Sequence, residues 1–303
     1  ISFGLNFFTS DRPSSPPLGN VFRGLMREYV EWCQAQHVEA PPTIPAALHR
    51  VAFGEYKQVL GTDVSQWQGP FDFEAYLVDT PFTIIKATEG GRTKEGKGFA
   101  DPRFEENKAK AISAGKIWSA YHFARVSEKT SEGTKGFEKD GINEAQWLLD
   151  NYGREVKPGM LPPVLDIEWD KRATKAGVTS REVVTFCEAF VGTIKDELGI
   201  WPMVYTGPNF WKYRLRKTLV LSQCPLWIVS GYTGKPTRPR KEIPGWDWVI
   251  HQYTNKRPRL DGRPPGTSGG VDGNYFRGTM AELRAMAFIP ENAVPDIPMP
   301  VAA

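Results

Sequence analysis

The chain has 303 residues, of which 40% are hydrophobic, and it carries a formal net charge of +3. This length and hydrophobic content allow one large domain with a buried core and a smaller appendage. The mild excess of basic residues suits contact with an anionic surface but falls short of the positive charge that nucleic-acid-binding proteins carry. No stretch is long and apolar enough to span a membrane. The composition therefore predicts neither a nucleic-acid partner nor a membrane span.

The cysteines and the N-terminus indicate where the protein is made. Cys33, Cys187 and Cys224 are odd in number and form no CxxC pair, which predicts free thiols in a protein that folds in a reducing cytoplasm. The first residues lack the basic, apolar and cleavage regions of a signal peptide. They also lack an initiator Met, so we expect a processed chain or a piece excised from a longer protein.

Residues 1–60 are predicted to form a small helical extension. Apolar residues recur there at helical spacing, namely Phe22, Leu25, Met26 and Tyr29. Prolines from Pro41 onward end this helix, and a second helix is expected over about residues 46–60. We expect the apolar face to pack on the flank of the main domain, away from the functional site. The alternative is an assembly or targeting contact.

Residues 61–287 have the pattern of an α/β domain, because short apolar runs alternate with segments of helical periodicity. Helices are predicted at 104–114, 142–152 and 180–198. Strands are predicted at 62–65, 82–87, 117–123, 163–167, 202–205, 226–229, 249–252 and near Val271. These strands of a largely parallel sheet predict an irregular, closed TIM-like (β/α) barrel. Residues 288–303 are Pro-rich and are expected to form an extended tail or linker.

Two carboxylates follow the apolar run that begins at Leu161. Asp166 and Glu168 are separated by one residue, so in a strand both would face the same side, roughly 6.5–7 Å apart along the chain. Like charges this close in a buried site do not both ionise, so the pair keeps a protonated acid beside an ionised carboxylate. Cleavage of a glycosidic bond needs this combination. In the alternative, structural interpretation, the acids cap a helix or pair with Lys171 and Arg172.

Polar and aromatic side chains gather at the predicted carboxyl ends of these strands. They are Asp63, Lys86, Glu89, Tyr121, Asp166, Glu168, Tyr205, Trp227, Gln252 and Asp272. In a parallel barrel these ends converge on one mouth, where active sites lie. We therefore predict that this set lines a single functional site.

Other functional motifs are incomplete. The segment 91–97 imitates a phosphate-binding loop, but Gly98 stands where the magnesium-binding Ser or Thr belongs. The 4 histidines are scattered without metal-ligand spacing, so neither a metal nor a cofactor is predicted. The basic segment 235–241 is interpreted as a solvated rim, with contact to an anionic polymer as the alternative.

Several motifs together resemble the family 25 glycoside hydrolases, the N-acetylmuramidase lysozymes. They are TDVSQWQG from Thr62, IIKATEG from Ile84, AYHFAR from Ala120, VLDIE from Val164, LWI from Leu226, QY from Gln252 and VDGNYF from Val271. The resemblance covers about residues 61–285, in the family's order. It implies an irregular β/α barrel that hydrolyses the β-1,4 bond between N-acetylmuramic acid and N-acetylglucosamine in bacterial peptidoglycan.

The same resemblance implies a role for each acid. By position, Glu168 corresponds to the catalytic acid, Asp166 to its partner carboxylate, and Asp63 and Asp272 to the flanking acids. The substrate-binding residues that it implies are Lys86, Glu89, Tyr121, Tyr205, Trp227 and Gln252. The spacing of the two carboxylates lies between the separations of retaining and inverting enzymes and does not decide the stereochemistry. The resemblance favours retention.

The setting that we expect is a lytic enzyme of phage type, released by lysis or carried on a virion, that acts on the bacterial cell wall. Two alternatives remain open. A chitinase-like hydrolase shares the Asp-x-Glu pattern, but Leu161 and Val164 stand where that family repeats acids. An inactive sugar-binding barrel with a structural role is the second, and the presence of all the expected acids argues against it.

Overall fold

The computed structural model describes residues 58–71, 73, 80–91, 98–126, 134–215, 218–257 and 270–288. Residues 1–57 of the predicted helical extension and the Pro-rich tail after residue 288 lie outside these residues, so both remain predictions. The second predicted helix, over about residues 46–60, is wrong at its end, because a strand begins at Val59. Among the described residues, Cys187 and Cys224 are buried and free, as expected. Cys33 lies outside the described residues.

In the described part of the chain, one sheet of nine strands forms the centre of the protein. In chain order the strands are β1 (Val59–Val64), β2 (Phe82–Glu89), β3 (Phe99–Ala100), β4 (Ile117–Phe123), β5 (Val164–Asp166), β6 (Met203–Thr206), β7 (Leu226–Ile228), β8 (Trp248–Arg257) and β9 (Val271–Phe276). Neighbours follow the order β1-β9-β8-β7-β6-β5-β4-β2, and β1 also pairs with β2, which closes the sheet. The short β3 extends the sheet beside the end of β2, outside the ring. The prediction of a closed, irregular barrel is confirmed.

The last barrel strand runs in the opposite direction to the other strands of the ring. Strands β1, β2 and β4 to β8 pair in parallel, whereas β9 is antiparallel to both β8 and β1. An apolar pattern specifies a strand but not its direction, so the sequence did not reveal this reversal. The expectation that Asp272 lies at the carboxyl end of its strand is therefore wrong. The beginning of β9 reaches the mouth and places Asp272 opposite Asp63.

The barrel strands bury apolar side chains on both faces, because helices cover the outside of the sheet. Along β2, Ile84 packs inside the barrel and Ile85 packs between the sheet and the helices. Along β5, Val164 lies inside and Leu165 lies outside in the same alternation. Asp166 comes next, so it faces the interior at the mouth of the barrel.

Helices surround the barrel. They are α1 (Phe104–Ser113), α2 (Thr134–Tyr152), α3 (Lys171–Lys175), α4 (Ser180–Leu198), α5 (Pro208–Phe210) and α6 (Met280–Met286). A π-helical turn (Trp211–Leu215) follows α5, and 3-10 turns lie at Gln66–Gln68 and Leu221–Gln223. The three predicted helices are present, but α2 begins at Thr134 rather than at residue 142. None of the helices in the described residues is long and apolar enough to cross a membrane.

The sequence at both ends of α4 explains its length. Thr179 and Glu182 form a reciprocal capping box at the beginning of the helix. Gly199 ends it in the left-handed conformation, with φ of 71°. The apolar face of α4 packs against the outer face of the sheet, where the ring of Phe190 lies 5.3 Å from the ring of His122 on β4. This contact places α4 directly behind one wall of the mouth.

Candidate active site

Asp63 stands near the mouth end of β1 and is almost fully buried. Its Oδ2 accepts hydrogen bonds from Asn274 Nδ2 at 2.7 Å and from Gln252 Nε2 at 3.1 Å. Asp272 donates a third hydrogen bond to this carboxylate. Burial raises the pKa of Asp63, and the three donors oppose that rise by stabilising the ionised form.

Asp272 keeps its proton beside Asp63. Burial, the negative charge of Asp63 and the hydrogen bond between the two carboxyls raise the pKa of Asp272 to about 9. At neutral pH the two carboxyls therefore share one proton, and Asp272 is the donor. Sequence reasoning placed both acids in the site but did not separate their protonation states.

A buried polar network connects Asp63 to the aromatic residues of the barrel interior. Tyr205 donates its hydroxyl hydrogen to Gln252 Oε1 at 2.8 Å, and Gln252 in turn donates to Asp63. On the other side, Trp227 Nε1 donates to Asn274 Oδ1 at 2.8 Å. The structure therefore brings three predicted binding residues together around one acid. Asn274 was not predicted, although it stands in the last of the family-like motifs.

Asp166 ends β5 and is buried, with 7% of its surface exposed. Its Oδ1 has no hydrogen-bond partner among the described residues. Burial is the main reason that its pKa lies well above the ordinary value, and the negative charge of Glu168 raises it further. The positive charges of Lys86 and Arg125 act in the opposite direction.

Glu168 lies beyond the strand, because β5 ends at Asp166. The strand is shorter than the predicted span of residues 163–167, and Glu168 is exposed on the rim of the mouth. Partial loss of water still raises the pKa of Glu168, and the positive charge of Arg125 opposes this rise. One carboxyl is thus buried and its neighbour faces solvent, an asymmetry that lets two adjacent acids take different chemical roles.

Lys86 and Glu89, both predicted to bind substrate, form an ion pair at 2.6 Å. Glu89 also accepts from Arg125 Nε at 2.7 Å, and Arg125 Nη1 lies 3.2 Å from Asp170 Oδ2. Burial acts to raise the pKa of Glu89, but the two cations lower it below its ordinary value. The structure places the Glu89 carboxylate between two cations beside the acids. Sequence reasoning missed Arg125, which ends the family-like motif after β4.

Aromatic rings form a wall inside the mouth. The ring of Trp227 lies 4.5 Å from Tyr205 and 6.5 Å from Tyr121, measured between centroids. Burial and the neighbouring carboxylates raise the pKa of both tyrosines well above the ordinary value. Their hydroxyls are therefore neutral hydrogen-bond donors at physiological pH.

Two tryptophans stand exposed on the rim, where they can stack on a sugar ring. Trp67 is 68% exposed on the 3-10 turn after β1, and the capping box of Ser65 and Gln68 holds that turn. Trp169 is 53% exposed and packs edge-on against Phe210 at 5.2 Å between ring centroids. Trp169 also borders a narrow recess beside Glu168.

The two histidines among the described residues have hydrogen-bonding roles. His122 lies between Thr88 and Glu144, and His251 Nδ1 lies 2.7 Å from the carbonyl oxygen of Thr237. Burial lowers the pKa of both imidazoles, so they are neutral at physiological pH. In the described part of the chain, no three His, Cys, Asp or Glu side chains are grouped to hold a metal ion.

A closed β/α barrel with neighbouring acids at its mouth, lined by aromatic side chains, has the architecture of a glycoside hydrolase. The sequence model of the glycosyl hydrolases family 25 matches residues 62–261. The chain belongs to this family. The predictions of the family and of a glycosidase are therefore confirmed.

Relatives that are named lysozyme or muramidase are similar over most of the chain. Lysozyme M1 of Streptomyces globisporus is 32% identical over 232 residues, which cover 76% of this chain and 71% of the relative. The N,O-diacetylmuramidase of Chalaropsis sp is 30% identical over 238 residues, covering 76% of this chain and 99% of the relative. Among solved structures, a family GH25 lysozyme from Aspergillus fumigatus aligns with a TM-score of 0.62 at 30% identity, covering 76% of this chain and 99% of that one.

Proposed function

We propose that the protein is a muramidase that hydrolyses the β-1,4 bond between N-acetylmuramic acid and N-acetylglucosamine in bacterial peptidoglycan. The observation that carries the proposal is the pair formed by buried Asp166 and rim-exposed Glu168 at the mouth of the barrel. The relatives named lysozyme and muramidase support the same activity. They also favour it over a chitinase-like or inactive barrel.

Glu168 is the proposed general acid, because it is the member of the pair that faces the open mouth. Asp166 and Glu168 hold one acidic proton between them, and burial alone would place it on Asp166. Asp166 is, however, too enclosed to reach a glycosidic oxygen from the rim. A bound glycan excludes water from Glu168 and raises its pKa, which moves the proton to the position where it is used. Glu168 then donates this proton to the leaving oxygen.

Asp166 is the proposed partner carboxylate. As the glycosidic bond breaks, positive charge develops on the sugar ring. A positive charge above the mouth favours the ionised form of Asp166, so Asp166 stabilises the transition state more than the ground state. The cations Lys86 and Arg125 limit how far the pKa of Asp166 rises before substrate binds.

Asp63 and Asp272 are proposed to orient the substrate and water rather than to donate the proton. Asp63 is held as an acceptor by three donors, and Asp272 carries the shared proton. Around them, we assign the sugar contacts to Tyr121, Tyr205, Trp227 and Gln252, whose polar groups line the same mouth. The Lys86 ammonium keeps its proposed role in substrate binding. Glu89 is instead proposed to hold Lys86 and Arg125 in place.

Digestion of purified cell walls tests the proposed function. The wild-type protein should clear a wall suspension, and borohydride labelling of the products should identify muramic acid at the new reducing ends. Labelled glucosamine ends would instead assign a different bond. Cleavage of chitin in preference to walls would favour the chitinase-like alternative, and the absence of any new reducing ends would favour an inactive barrel.

The setting of this activity is a further part of the proposal. We infer a phage-type lytic enzyme that is made in the cytoplasm and acts on the wall after lysis or from a virion. The mild positive charge of the chain, +3, is compatible with contact to an anionic wall. Residues 1–60 are proposed to pack on the barrel, with an assembly contact as the alternative.

A further inference from the structure

A carboxyl and an imidazole are buried together behind the mouth, and the proposed chemistry does not use them. His122 on β4 is 0% exposed and Glu144 on α2 is 1% exposed. His122 Nε2 lies 2.7 Å from Glu144 Oε2, and its Nδ1 lies 2.8 Å from Thr88 Oγ1. Burial lowers the pKa of His122 to about 3 and raises that of Glu144 to about 8. The pair is therefore uncharged at neutral pH, because Glu144 is protonated and the imidazole of His122 is neutral.

The buried pair is connected to the loop that leaves β4. Glu144 Oε2 accepts a hydrogen bond from the backbone N–H of Arg125 at 3.2 Å. The side chain of Glu144 also accepts from the backbone N–H of Gly91, which follows β2. One buried side chain thus ties together the ends of two adjacent barrel strands. Without it, two partly buried backbone donors would lose their acceptor, which is costly.

The side chain of Arg125 extends from this anchored backbone towards the acids. Its guanidinium binds Glu89, lies 3.2 Å from Asp170, and stacks on the ring of Phe123 at 4.4 Å. Asp170 comes two residues after Glu168. Arg125 therefore bridges the last residue of β2 to the segment that carries Glu168, with its backbone and its side chain both fixed.

We propose that Glu144 and His122 form a buried support that fixes the backbone of Arg125, and that Arg125 is a positioning residue that places a constant positive charge beside Asp166 and Glu168. This inference rests on the proposed function of these two acids. Neither member of the buried pair touches the reacting atoms. Their effect reaches the acids through the position of one guanidinium.

The consequence is a dependence of the pH–activity profile on Arg125. Its positive charge lowers the pKa of Glu168 and of Asp166. When the charge is lost or displaced, both pKa values rise, so the acidic and the alkaline limbs of a bell-shaped profile move to higher pH. The titratable groups that face Arg125 and the buried pair are Lys86, Glu89, Asp166, Glu168, Asp170 and, on α4, Cys187.

The test compares conservative and disruptive variants at the two ends of this connection. Arg125→Met removes the charge, and Arg125→Lys keeps it. Glu144→Leu removes the acceptor of the Arg125 N–H. Glu144→Gln keeps an oxygen that can accept from this N–H and from the Nε2–H tautomer of His122. Each variant is assayed for wall hydrolysis across the pH range, and its thermal unfolding is recorded.

We expect Arg125→Met and Glu144→Leu to move both limbs upward by about 0.5–1 pH unit, since the interaction is partly screened by solvent. Arg125→Lys and Glu144→Gln should keep the limbs near their wild-type positions. If the role of Glu144 is purely structural, its loss would lower the maximal rate of hydrolysis and the melting temperature without moving the pH–activity profile. That result in a folded Glu144→Leu protein, or an unshifted profile in Arg125→Met, overturns the proposal.

Two further measurements separate the possible failures. If Glu144→Leu does not fold, Thr88→Val replaces it, because this change removes only the hydroxyl that contacts His122 Nδ1. A smaller upward shift is expected there, and no shift contradicts the role of the buried pair. The proposed function fails separately, if Glu168→Gln retains wild-type hydrolysis or if the wild-type products lack muramic acid reducing ends.

Discussion

Asp63 and Asp272 are direct cross-strand partners, although they lie at opposite ends of the barrel sequence. The reversal of β9 brings the two carboxyls together, and burial forces them to share a proton. The pair has one acceptor, Asp63, supported by Asn274 and Gln252, and one donor, Asp272. This division predicts that the two acids respond differently to the same substitution.

Asp272→Asn should be tolerated by the fold, and Asp63→Asn should not. The amide that Asp272→Asn introduces can donate to Asp63 as the protonated carboxyl does. At position 63 an amide oxygen can still accept from Asn274 and Gln252, which share one oxygen of Asp63. The amide nitrogen would then face protonated Asp272, which is itself a donor, and a lost buried hydrogen bond costs about 1–3 kcal/mol. Chemical denaturation of both variants at neutral pH checks this order. Equal stability losses would contradict the assigned donor and acceptor roles.

The same pair predicts how stability changes with pH. The pKa of Asp272 is raised from 3.8 to about 9 in the folded protein. Between these values the unfolded chain loses the proton and the folded chain keeps it, so this group's contribution to stability falls as pH rises. Asp272→Asn should therefore flatten the decline in the free energy of unfolding between about pH 5 and pH 8. An unchanged slope would mean that Asp272 is ionised in the folded state.

Glu168→Gln should abolish most of the turnover without unfolding the protein. Gln keeps the shape of the side chain but cannot donate the acidic proton, and loss of general acid catalysis costs about 10²–10⁴-fold in rate. Release of soluble fragments from purified walls measures the effect. Glu155→Gln is the matched control, because Glu155 is exposed, with 78% of its side chain accessible, and lies outside the site. Near-wild-type lysis by a folded Glu168→Gln protein would remove Glu168 from its proposed role.

The stereochemistry of the first product is predicted to be retained. The family resemblance favours retention, with the acetamido group of the substrate as a candidate nucleophile. Proton NMR during the first minutes of digestion distinguishes the anomers before they interconvert. An initial β anomer is expected, and an initial α anomer would establish inversion.

The sequence was informative where a structural signal is local. The strand containing Asp166 and the helix α4 were found from apolar runs and periodicity. The beginning of α2 was missed because Gly136 and Gly141 lower its helix propensity, and packing against α4 compensates for this. The contacts of Asn274 and Arg125 also escaped prediction. They join residues far apart in the chain, and periodicity carries no information on such pairs.

Gly141 gives a test of the packing between α2 and α4. A Cβ at this position would meet the carbonyl oxygen of Phe186, which is backbone and does not move easily. Gly141→Ala should therefore destabilise the protein by roughly 1–3 kcal/mol, despite the better helix propensity of Ala. Gly192→Ala on α4 is the control, because no atom lies within 4 Å of its Cβ position. That change should be neutral or stabilise by up to about 1 kcal/mol, and equal effects of the two changes would contradict the close approach.

Removal of the N-terminal extension should leave the chemistry intact. The barrel closes through the pairing of β1 with β2 and β9, all within the described residues, so we expect it to fold without residues 1–57. Gln58 is kept because its Nε2 donates to the carbonyl oxygen of Pro236 at 2.8 Å.

A variant that begins at Gln58 should hydrolyse soluble wall fragments at the wild-type rate. It should lose stability or solubility, because the predicted apolar helix face would no longer cover the barrel flank. Thermal unfolding and sedimentation of both forms measure this loss. A stable, soluble truncated protein that no longer binds intact walls would instead identify the extension as a targeting segment and contradict its predicted packing.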